Sequence, residues 1–145
     1  MNLSVRFPID TRELSDGWHE LACVAYEGSC VRTQTRVNLP VFVNNSSWNT
    51  TFSITEFGSS NSPLTLNSAT YHARVMADST NISAIHLYGP GGLIATAQAQ
   101  AHVVFPIDSS FFGPGTHRFY SIIEKADGSS YRTEEATVRF ANSHL

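Results

Sequence analysis

One six-residue stretch occurs twice, and it constrains this chain more than any other feature. Val5-Arg6-Phe7-Pro8-Ile9-Asp10 returns 98 residues later as Val103-Val104-Phe105-Pro106-Ile107-Asp108. The same offset carries Gly17-Trp18-His19 onto Gly115-Thr116-His117, and Leu21, Val24 and Ala25 onto Phe119, Ile122 and Ile123. Glu27-Gly28-Ser29 then matches Asp127-Gly128-Ser129, and Arg32-Thr33 matches Arg132-Thr133, at an offset of 100. The change of offset falls in a hairpin loop, where insertions are cheapest. Ordered matches with one loop gap read as a duplication. The repeat covers 1–45 and 101–145, and residues 46–100 have no counterpart ahead of residue 1. The expected organisation is therefore the C-terminal half of one module over 1–45, then a complete module over 46–145.

Strands follow from period-two alternation. In the complete copy they are expected at 51–54, 69–77, 82–88, 93–97, 102–107, 117–124 and 131–140. Gly89-Pro90-Gly91-Gly92 and Asp78-Ser79-Thr80-Asn81 break the runs, residues 57–64 read as turn, and Ser110 to Gly115 as a corner. Closely spaced short strands of this kind predict an all-β, two-sheet antiparallel sandwich. Only 14% of residues are charged, too few to wet the outer faces of long helices, while 41% are hydrophobic, enough for a packed core. A net charge of −3 argues against nucleic acid or an anionic membrane as partner. No apolar run is long enough to span a membrane. Met1-Asn2-Leu3-Ser4-Val5-Arg6 lacks the regions of a signal peptide. Either a signal was removed, or the chain is part of a longer one, or it is not exported.

Ile85-His86-Leu87-Tyr88-Gly89-Pro90-Gly91-Gly92-Leu93-Ile94-Ala95-Thr96 resembles the hairpin of bacterial immunoglobulin-like (Big-type) tandem repeats, apolar–x–apolar–Tyr–turn–Gly–x–Ile–x–Thr. Gly115-Thr116-His117-Arg118-Phe119 followed by Ala126-Asp127-Gly128 is similar to their last hairpin, and Gly17-Trp18-His19-Glu20-Leu21 with Glu27-Gly28 to the same element in the first copy. The resemblance covers about 85 residues of the complete copy and about 40 of the partial one. It implies an immunoglobulin-like sandwich from a large secreted or cell-surface protein, where such modules act as spacers, stalks, adhesive or sugar-binding units. The front half of the first copy departs from the pattern by being missing.

That departure has a physical consequence. Residues 1–45 would form a three-stranded piece with an open edge and a bare apolar face, both unfavourable. Self-association, strand exchange with a second copy, or packing on the complete module would cover them. The competing expectation is a truncated fragment that is merely tolerated.

Candidate chemistry is sparse. Cys23 and Cys30 flank Tyr26-Glu27-Gly28-Ser29. With Tyr26 and Glu27 central in the turn they face each other; with Glu27 and Gly28 central, Cys23 faces Arg32; a bulged loop puts them on opposite faces. A Cys23–Cys30 disulfide stands against the blander pair of one buried and one rim thiol. His19 and His117 are repeat equivalents at strand entrances, placed to bond the neighbouring loop. His72 and His86 fall on strands expected to be adjacent, without a compact metal-ligand spacing. Glu134 and Glu135, adjacent on an expected strand, should point to opposite faces. Asp78, Asp108 and Asp127 are weak calcium candidates in oxygen-rich turns, whose commoner use is capping. Trp18, Trp48, Tyr26, Tyr88 and Tyr131 would bind sugar if exposed in a row, but more often are core. Asn2, Asn44, Asn45, Asn49 and Asn81 begin Asn-x-Ser/Thr acceptors, and the 44–51 cluster reads as an exposed linker.

The expected function is a non-catalytic spacer or self-association unit that works through strand edges, with further immunoglobulin-like modules as partners. The alternative is a glycan- or protein-binding adhesion module using loops 89–92 and 109–115. No cofactor is expected, and no legible catalytic constellation supports an enzyme.

Overall fold

The computed structural model describes residues 4–28, 33–46, 48–57, 64–66 (backbone) and 70–140. They form eleven strands: β1 (Asp16–Tyr26), β2 (Gln34–Val43), β3 (Thr50–Ile54), β4 (Leu64–Leu66), β5 (Thr70–Ala77), β6 (Ile82–Gly89), β7 (Gly92–Gln98), β8 (His102–Asp108), β9 (Gly115–Lys125), β10 (Ser130–Arg132) and β11 (Ala136–Phe140). No α-helix occurs among the described residues, so none is long and apolar enough to cross a membrane.

The strands from Thr50 onward lie in two sheets. One has the order β3-β5-β8; in the other, β9 is central, with β6 and then β7 on one side and β10, β11 and β4 on the other. Alternation decides which side chains enter the space between. Tyr71, Ala73 and Val75 of β5 and Val103, Phe105 and Ile107 of β8 point in from the first sheet. Ile85, Leu87, Phe119, Ile123, Val138 and Phe140 point in from the second, and all twelve belong to one cluster. Tyr71 stacks on Phe140 across the gap, with ring centroids 5.3 Å apart.

Three details differ from the sequence pattern. The last expected strand is split into β10 and β11, because Thr133 interrupts the ladder. Its Oγ1 accepts from Ser121 N (2.9 Å) and its own N–H donates to Ser121 O (2.9 Å), so a hydroxyl takes the place of a carbonyl. Arg132 pairs with Ile122, but Ala136 pairs with Phe119, a one-residue slip that makes a bulge. The sheets are also not wholly antiparallel: β4, where no strand is expected, runs parallel to β11, and β1 runs parallel to β10. Finally, His72 and His86 lie on different sheets, β5 and β6, because the chain crosses between sheets at 78–81 instead of turning back as a hairpin.

Candidate functional site

Among the described residues from 4 to 43, only Asp16, Gly17 and Val43 are buried. Residues 4–10 are in no strand, although 102–108 form β8. The difference is a neighbour: β8 runs beside β5, with Phe105 opposite Ala73, and among the described residues no strand lies beside 4–10. Val103, Phe105 and Ile107 are 7%, 5% and 2% exposed, whereas Val5, Phe7 and Ile9 are 66%, 72% and 50% exposed. The two stretches nevertheless lead into turns that are built alike. Asp10 caps a 3-10 turn over Thr11–Glu13 by accepting from Arg12 N, and Asp108 caps Ser109–Phe111 by accepting from Ser110 N. His19 Nε2 donates to Ser15 O and His117 Nε2 to Gly113 O, both at 2.7 Å.

The expected three-stranded piece is instead a two-stranded ribbon, β1 and β2, in unbroken register. Direct partners share a face, so Leu21, Cys23, Val37, Leu39 and Val41 line one side, with Val37 60% and Leu39 57% exposed. Tyr26 pairs with Gln34, eight positions on, whereas Glu124 pairs with Ser130, six positions on. The first separation is the longer, the reverse of the expected offset change. Cys23 faces Val37, not Cys30 or Arg32, and is a free, exposed thiol. Cys30 lies outside the described residues, and with it the proposed disulfide.

The ribbon is rooted by a backbone junction that sequence reasoning missed. Asp16 pairs with Tyr131 and Gly17 with Arg132 along β10. A Cβ on Gly17 would sit 2.2 Å from Arg132 O, so only glycine permits this approach. Arg132 Nη1 donates to Trp18 O (3.3 Å). Asp16, 6% exposed, accepts from Asn45 N and Ser46 N, and Asn45 Nδ2 donates to Thr11 O (2.7 Å). Trp48 is buried, stacked on Tyr131 at 5.6 Å with Lys125 Nζ over its ring. The expected exposed linker is therefore pinned down, though Asn44, Asn45 and Asn49 keep exposed positions, as does Asn81; Asn2 lies outside the described residues.

Between ribbon and module lies an open cleft of about 500 Å³, bordered by Trp18, Glu20, Arg118, Arg132, Glu134 and Glu135. Glu134 and Glu135 both face it, because 133–135 is bulge and not strand. Glu135 Oε1 is 2.6 Å from Arg132 and its Oε2 3.7 Å from Arg118, while Glu20 accepts from Asn38 Nδ2 (2.8 Å). Both oxygens of Glu135 are thus committed to guanidinium groups. The five aromatic candidates are dispersed: Trp48 and Tyr131 are core, Tyr88 stacks on Tyr120 at 5.2 Å, and among them Tyr26 alone is widely exposed at 71%.

The remaining candidates serve local structure. Asp127 Oδ1 accepts from Ser129 N (2.8 Å) and Oγ (2.6 Å), which holds its carboxyl below the usual range; Ser110 does the same for Asp108. Asp78 is exposed, and its N–H donates to Asn49 O (2.8 Å). Among the described residues no three His, Cys, Asp or Glu side chains form a metal-holding group. His86 Nδ1 lies 2.9 Å from Thr96 Oγ1. Glu56 reaches His72 twice, Oε1 to the ring Nδ1 at 2.7 Å and Oε2 to the backbone N at 3.1 Å.

Burial works against the charge on Glu56, but the hydrogen bonds from His72 outweigh it and hold the carboxyl below its ordinary 4.5. A depressed carboxyl binds its proton less readily in the folded state. Its contribution is complete above the unfolded value and is lost as pH falls through the folded one. Glu56→Gln should therefore flatten the acid limb of urea midpoint against pH below about 4.5 and leave the neutral region parallel to wild type. An unaltered acid limb would mean that the pair contributes nothing to acid stability.

No family model matches the chain, and neither does any curated protein. Among solved structures, the endo-β-1,4-mannanase from Thermotoga petrophila is similar over 69% of this chain, at 8% identity and a TM-score of 0.49. The chain spans only 21% of the mannanase's length.

Proposed function

We propose that the chain is a non-catalytic structural and assembly module of an exported or cell-surface protein, with an immunoglobulin-like sandwich as its folded unit. Connectivity supports the sandwich type. Within the complete copy, β3, β5 and β8 share one sheet; β6, β9 and β11 share the other, with β7 added beside β6. Those sets correspond to strands A, B, E and C, F, G of an immunoglobulin domain, with a C′-like strand and, among the described residues, no D strand. The exposed Asn-x-Ser/Thr acceptors accord with a surface location.

One observation carries the assembly reading: the same apolar triplet is buried in β8 and bare at Val5, Phe7 and Ile9. Covering such side chains is worth about 1.5–3 kcal/mol each, as an upper bound. The ribbon face of Val37 and Leu39 is a second bare apolar surface, and it is the one through which copies of this chain would meet one another. Light scattering across a concentration series should show mass rising above one chain, and Leu39→Lys should return it to monomer. A monomer at every concentration would instead favour the second reading, a glycan- or protein-binding module. That reading rests on Trp18, backed by Phe42 at 5.4 Å, beside the Arg132 and Glu135 cleft.

A further inference from the structure

We propose that residues 4–10 are a donor strand, a second β8 that completes the open front half of another module of this kind. This rests on the assembly reading and names its partner. Val5, Phe7 and Ile9 are identical to the three side chains that β8 buries, and Pro8 and Asp10 are identical to Pro106 and Asp108. The two differences, Ser4 for His102 and Arg6 for Val104, fall on the outward side, where His102 is exposed and Val104 is 43% exposed. Residues 4–10 would therefore fill a β8 slot without changing a single inward side chain. Both strands also end in the same aspartate-capped turn.

The acceptor is specified by what β8 already touches. Ile107 pairs with Tyr71, Phe105 with Ala73 and Val103 with Val75. The matching partner is a strand with an aromatic, a small and a branched residue on one face and a vacant edge. Main-chain pairing would supply affinity, and the alternate pockets specificity. A second copy of this chain does not qualify. Its β5 is already flanked by β3 and β8, so exchange would trade one β8 for its equal and cover nothing new. The acceptor is a front half without a β8 of its own.

The test co-refolds the full chain with a synthetic polypeptide of the sequence 48–100, then measures native mass and amide exchange. The expected result is a one-to-one complex in which amides 5–9 become protected. Phe7→Asp should weaken it by roughly 100-fold, and Arg6→Ala by no more than about threefold. Phe7 is 72% exposed in the free chain, so its substitution leaves folding intact. Failure to recover a complex overturns the proposal, as does a complex without protection at 5–9 or one indifferent to Phe7→Asp. A chain that self-associates but excludes the polypeptide overturns the donor strand alone and leaves the assembly reading standing.

Discussion

Phe105→Ala should lower global stability by about 3–5 kcal/mol, while Phe7→Ala should change it by less than about 0.5 kcal/mol. The two residues occupy the same place in the same hexapeptide. Phe105 is 5% exposed and belongs to the cluster with Tyr71, Val75 and Phe119. Phe7 is 72% exposed. Removing the first ring leaves a cavity between two sheets; removing the second exchanges one solvated side chain for another. Urea unfolding at a concentration low enough to keep the chain dissociated would show a large shift in midpoint for one variant and none for the other. Comparable losses at both positions would mean that 4–10 is covered in solution, and the contrast between the half-copies would vanish.

That contrast marks how far the sequence could be read. Alternation placed β5, β6, β7, β8 and β9 within two residues of their ends, because each has one face in the core and one in water. It could not foresee that Val5-Arg6-Phe7-Pro8-Ile9-Asp10 would form no strand. Pattern reports which face a strand would bury, whereas pairing depends on a neighbour that a local pattern does not contain. The split between β10 and β11 was hidden because Thr133 suits a strand; only its side-chain bond to Ser121 shows that it replaces a ladder bond. Glu134 and Glu135 were misplaced as a direct result, since a bulge cancels the two-face rule.

Among the site residues, legibility followed locality. Asp10, Asp108, His19 and His117 act within a few positions of themselves, so turn chemistry and the repeat were enough. Cys23 was harder, because its partner depends on the hairpin register, and pairing of Tyr26 with Gln34 puts it opposite Val37. Arg132 was out of reach: its contact with Trp18 bridges 114 positions. The repeat did hold a usable signal at Gly17, whose counterpart Gly115 also has a positive φ.

Gly17→Ala should release the ribbon without unfolding the sandwich. The φ of +109° is already unfavourable for alanine, and the new Cβ would meet Arg132 O at 2.2 Å and Arg132 N at 2.5 Å. Those atoms are backbone held by β9 on the other side of β10, so β1 must move instead. Gly115→Ala is the control: its φ of +135° carries strain of about 1 kcal/mol, but nothing lies within 4 Å of its Cβ. Losing the β10 pairing removes the root of β1 and β2, whose outer parts are exposed on both faces. Limited proteolysis within 16–43 should accelerate by roughly 10- to 100-fold, while the core amides of Phe119 and Ile123 keep their protection. If Gly17→Ala melts those core amides together with the ribbon, the junction is part of one cooperative unit, and the half-copy is not an appendage free to find a partner.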